Sequence, residues 1–143
     1  EIMETYEAGK HAYHATPPTD SLIALRNVMK EMEAFGFGKA RTAQAELGRA
    51  VRALLGSKGF KSVAAPGFEA PGVVVSYTTD PDIQSGKKFL DLGMQVAAGV
   101  PLKCDEPADY RSFRVGLFGL DKLGNPDRTV KTFEGVLNSI LGT

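Results

Sequence analysis

Between positions 22 and 35, apolar residues recur at spacings of three and four: Leu22, Leu25, Val28, Met29, Met32 and Phe35. Residues so spaced share one face of a helix, so the pattern predicts an amphipathic helix. Thr19 or Asp20 can accept hydrogen bonds from its first free amides, and Gly36 is a natural stop. A second helical pattern runs from about Lys39 to Lys58, where Gly59 ends it. Leu47, Ala50, Val51, Leu54 and Leu55 share one side of it, and Arg41, Glu46, Arg49 and Arg52 lie mostly on the other. Two long helices joined by the short break at Gly36 and Gly38 suggest an antiparallel or angled pair.

The period then changes. Phe60 to Ala65 reads as a short strand, and Pro66 to Gly72 is loop by composition. The β-branched and aromatic run from Gly72 to Thr79 reads as a strand buried on both faces. Asp80-Pro81-Asp82 offers a capping carboxylate, a proline where no amide donor is missed, and an acid at the positive end of the dipole. The helix it starts should run about three turns to Leu92 and stop at Gly93. Gln95 to Ala98 is a strand candidate, Gly99 to Asp109 an irregular connection, and Ser112 to Phe118 a further strand. Asn125-Pro126-Asp127 repeats the cap-proline-acid start, and Val130, Phe133, Leu137 and Ile140 give the last helix its stripe. These elements predict an α/β (α+β) sandwich, in which helices cover one face of a small, mostly antiparallel sheet.

Composition narrows the function classes. Seventeen basic residues balance seventeen acidic ones, so nothing electrostatic points to nucleic acid or an anionic membrane. No apolar run approaches the roughly 20 residues that span a bilayer. The lone Cys104 excludes an internal disulfide framework and fits a reducing, intracellular compartment. The opening Glu1-Ile2-Met3-Glu4-Thr5 has no signal-peptide pattern and reads as a piece beginning inside a larger protein. The closing Leu141-Gly142-Thr143 is not a Ser-Lys-Leu address.

No self-contained catalytic set is visible. His11 and His14 have no third ligand at metal spacing, and there is no phosphate loop or nucleophile elbow. Cys104 lies beside Lys103, which can lower a thiol pKa, yet lone cysteines are more often inert. Two features stand out. Arg114 lies inside an apolar strand, where its charge needs water, an acid or a bound anion. It is either a clamp on a carboxylate or half of a structural ion pair, and spacing alone favours the ion pair. Tyr13-His14-Ala15-Thr16-Pro17-Pro18 places two hydroxyls just before a helix N-terminus, either as an anion site or as a capped helix lead-in.

Taken together, these two segments resemble class V pyridoxal-phosphate aminotransferases of the alanine–glyoxylate or serine–pyruvate kind. Tyr13 to Pro18 followed by Ser21-Leu22-Ile23-Ala24-Leu25-Arg26 is similar to the stretch that opens the long connecting helix of that family. Phe113-Arg114-Val115-Gly116-Leu117-Phe118-Gly119 is similar to a strand near the end of the same enzymes, and the resemblance runs from about Tyr13 to Leu141. It implies the C-terminal small domain of a fold-type I pyridoxal-phosphate enzyme from residue 16 to 143, with residues 1–15 as the tail of the large cofactor domain or a linker. It implies that Arg114 grips the α-carboxylate of an amino acid or 2-oxo acid substrate. It implies also that Tyr13 and Thr16 reach the cofactor phosphate of the neighbouring subunit in a homodimer. Ala98-Gly99 resembles the family's small-residue turn before the arginine strand, with a structural role. The Schiff-base lysine is expected upstream of this chain, since Lys10, Lys30 and Lys39 lack its apolar, glycine-rich context. The chain alone should then hold cofactor weakly or not at all and catalyse nothing. Two other readings compete: a cysteine desulfurase-like enzyme of the same branch, and a free-standing α/β module that binds a ligand or partner.

Overall fold

The structure, a computed structural model, describes residues 1–11 and 16–143. It divides into two compact units, Glu1–Phe35 and Gly36–Thr143. The first holds α1 (Ile2–Glu7) and α2 (Thr19–Phe35). The segment of α1 has too little periodicity to announce a helix, and it is exposed along almost its whole length. The predicted helix α2 is present. Its Thr19 hydroxyl donates to the Pro17 carbonyl at 3.4 Å, however, and Thr19 already belongs to the helix. Its apolar stripe is uncovered, with Leu22, Leu25, Val28 and Met29 each more than half exposed.

The second unit contains α3 (Phe37–Ser57), β1 (Val73–Tyr77), α4 (Pro81–Gln84), α5 (Lys87–Leu90), β2 (Ala97–Ala98), β3 (Ser112–Gly116), α6 (Leu120–Leu123) and α7 (Pro126–Leu141). The sheet is three-stranded and antiparallel, with β3 between β1 and β2. Its register pairs Val75 with Arg114 and Ser76 with Phe113. The expected strand at 60–65 is reduced to one bridge, Ser62 to Ser76, flanked by the Val63 amide on the Val75 carbonyl and the Tyr77 amide on the Lys61 carbonyl.

Successive strand residues point to opposite faces. On one face Val74, Ser76, Phe113 and Val115 are buried together with Leu47, Val51 and Leu55 of α3, Phe89 of α5, and Phe133 and Leu137 of α7. Phe113 makes edge-on contact with Phe60 at 5.3 Å and lies 5.6 Å from Phe89, which stacks on Phe133 at 6.2 Å. The other face carries Val73, Val75, Tyr77 and Arg114, all half-buried or exposed. A strand buried on both faces was expected at 72–79. Instead β1 alternates, because helices pack on one face of the sheet.

The caps hold as the sequence implies. Asp80 accepts from the Asp82 and Ile83 amides at 2.8 and 3.1 Å, and Asn125 accepts from the Arg128 amide at 3.0 Å. The helix expected to reach Leu92 is broken, however. Gly86 takes φ +82°, a left-handed conformation that favours glycine, and α5 begins afresh after it. On the other side of the core, α3 lies directly against the lead-in to β1. Gln44 donates to the Pro71 and Leu117 carbonyls, Arg52 donates to the Ala70 carbonyl, and a Cβ on Gly48 would stand 2.5 Å from the Pro71 oxygen.

Ser76 is 1% exposed, and its buried hydroxyl has no hydrogen-bond partner. An unmet buried hydroxyl costs about 1–3 kcal/mol, and alanine removes it with little change of shape. Ser76→Ala should therefore raise the urea midpoint without altering the slope. A lower midpoint would mean that the hydroxyl is satisfied in solution.

Candidate functional site

Arg114 sits at the middle of β3, the central strand. Because Phe113 is committed to the core, Arg114 must face the opposite, open side. Its neighbours there are Val75 across β1 and Ala97 across β2. Its Nε donates to the Ala98 carbonyl at 2.9 Å. The ion pairs among the described residues use Glu4, Asp91, Asp80 and Asp121, and none involves Arg114. The structural ion pair favoured by spacing alone is thus not formed among the described residues. A half-buried guanidinium keeps its two terminal nitrogens available for an anion.

Gly99 explains how the acceptor is held. Its amide donates to the Ser112 carbonyl at 2.9 Å, and a Cβ on Gly99 would collide with the Ser112 backbone and hydroxyl. Only glycine lets the chain after β2 come this close to β3. This fits the structural role expected of Ala98-Gly99.

Of the other predicted site residues, Thr16 is exposed in the first unit. Tyr13, and His14 with it, lies outside the described residues. Lys10, Lys30 and Lys39 are all exposed. Cys104 is exposed in the connection between β2 and β3. Among the described residues no cluster of His, Cys, Asp and Glu is placed to hold a metal ion, and no helix is long and apolar enough to cross a membrane.

Sequence reasoning missed a cleft of about 850 Å³ at the Tyr77 end of the sheet, lined by Lys58, Lys61, Tyr77, Asp80, Tyr110 and Arg111 among others. Tyr77 and Tyr110 meet edge-on at 5.6 Å, and Arg114 is not part of the lining. Asp80 pairs here with Lys88 at 2.5 Å, and that bond holds its carboxyl below the usual carboxylate range. At the rim, Glu106 accepts from the Lys103 and Cys104 amides, each at 2.8 Å. These two bonds, that of Lys103 foremost, pull the Glu106 carboxyl down to about 2. The clamp fixes a turn in which Lys103 and Asp105 both take positive φ. The local signal was an acid two and three residues after the amides it binds.

No family model matches the chain, and no curated protein matches it. Among solved structures, a serine palmitoyltransferase of Sphingomonas wittichii matches with a TM-score of 0.62 and 19% identity, over 96% of this chain and 33% of that one. The likeness is one of fold, and the chain spans about a third of that protein. It agrees with the architecture expected from the sequence, helices over a small antiparallel sheet.

Glu106 gives this region a pH signature. A folded-state value below the unfolded one means that the ionised carboxylate stabilises the turn above the ordinary carboxylate range. That contribution is lost as pH falls through about 2. The amide shifts of Lys103 and Cys104 should therefore titrate together with a midpoint near 2, and Glu106→Gln should abolish the step. A midpoint at the ordinary 4.5 would show that the clamp is open in solution.

Proposed function

We propose that this chain is the C-terminal small domain of a pyridoxal-phosphate enzyme of the transaminase type, in which Arg114 binds the substrate α-carboxylate. The observation that carries the reading is the state of Arg114. It is half-buried on the central strand, tied through Nε to the Ala98 carbonyl, and has no carboxylate partner among the described residues. Its planar fork suits a carboxylate in a way an ammonium does not. The fold-level likeness to an enzyme named for serine is consistent with an amino acid substrate. The finer assignment rests on the class V resemblance: transfer of the amino group of alanine or serine to glyoxylate or pyruvate, in a homodimer.

Lys10, Lys30 and Lys39 stand exposed on the surface, and the attaching lysine belongs in this reading to the large domain. This chain binds and orients the substrate carboxylate through Arg114. Through Thr16 and Tyr13 it supplies hydroxyl donors to the cofactor phosphate of the partner subunit. The domain boundary between residues 15 and 16 belongs to the same proposal.

In the intact enzyme, Arg114→Ala should raise the substrate KM by one to two orders of magnitude, since a charge-assisted hydrogen bond contributes about 1.5–3 kcal/mol. Cofactor absorbance should stay unchanged, and unaltered kinetics would remove Arg114 from the site. Thr16→Ala and Tyr13→Phe should instead leave KM near its original value and speed loss of cofactor on dialysis. Normal retention in both variants would contradict the interface role.

A further inference from the structure

We infer that Gly99, acting through the Ala98 carbonyl, is a positioning residue for Arg114: it restricts the guanidinium to an end-on fork made by its two Nη groups. The inference rests on the reading of Arg114 as the carboxylate-binding residue.

Sheet register sets the direction of the Ala98 carbonyl. Ala97 pairs with Arg114 and Ala98 with Phe113, and the next pair, Gly99 with Ser112, is joined by a hydrogen bond of 2.9 Å. Antiparallel pairs alternate between bonded and non-bonded, so Ala98 belongs to a non-bonded pair and its carbonyl turns away from β3. No strand lies beyond β2 among the described residues, so that oxygen is an open edge acceptor. The Arg114 side chain shares its face with the small Ala97, crosses β2 there, and caps the oxygen at 2.9 Å.

This bond selects among the ways a guanidinium can meet a carboxylate. A side-on contact needs Nε and one Nη, whereas an end-on contact needs both Nη groups. With Nε occupied, only the end-on fork remains, and its plane is fixed by the Ala98 carbonyl. Position 99 holds that carbonyl in place. A side chain there collides with the Ser112 backbone and must push the end of β2 away from β3. The cation survives such a change but loses its aim.

The test uses the ¹⁵N-labelled 143-residue chain, following the Arg114 Nε–H signal by NMR with pyruvate as probe. In the unmodified chain, Arg114 Nε–H should exchange about tenfold more slowly than that of the exposed Arg41 and Arg49, as one intact hydrogen bond gives. Pyruvate should shift the Arg114 signals, and in Gly99→Ala the exchange should rise to the control rate while the pyruvate response weakens several-fold. Exchange at the control rate in the unmodified chain overturns the inference, and needs no variant that folds. An equal pyruvate response in a folded Gly99→Ala chain also overturns it, while leaving the carboxylate reading intact. Slow exchange lost in Gly99→Ala, with no pyruvate response in either chain, supports the positioning and overturns the carboxylate reading.

Discussion

The arrangement of the larger unit depends on one buried ring. Phe113 lies on the central strand beside its midpoint, in contact with Phe60 and Phe89, and Phe89 carries the contact on to Phe133 of α7. Burying an aromatic of this size, with edge and stacked neighbours, fixes the face that β3 turns to the helices. The strand period then leaves its neighbour no choice, and Arg114 must stand on the opposite face. A slip of one residue would bury the guanidinium and expose the ring. The core thus sets the position of Arg114, and the edge of β2 sets its direction.

Much of this was legible in the sequence where one local rule sufficed. The periodicity of α3 and α7, the caps at Asp80 and Asn125, and the strand character of 73–77 and 112–116 all follow from neighbours in the chain. What escaped depends on contacts between distant segments. Gly86 breaks a helix where Val96 comes close, at 3.2 Å from its Cβ position. The cleft beside Tyr77 is assembled from positions as far apart as Lys58 and Leu141. The alternation of β1 was obscured because its half-exposed residues, Val73 and Val75, are as apolar as its buried Val74. Composition records what a side chain is, and only packing records what stands over it.

Helix α2 shows the same limit from the other side. Its spacing correctly announced both the helix and its apolar stripe, yet the stripe is exposed in this chain. Periodicity identifies a face that repels water and is silent about what covers it. Arg114 is likewise oriented by the Ala98 carbonyl and has no ion pair among the described residues.

The most direct measurement is a crystal structure of the proposed full-length enzyme with an amino acid or 2-oxo acid bound. The account predicts the ligand's two carboxylate oxygens on Nη1 and Nη2 of Arg114, with Nε still on the Ala98 carbonyl. A ligand carboxylate held elsewhere, or Arg114 paired with an acidic side chain of the protein, would contradict it.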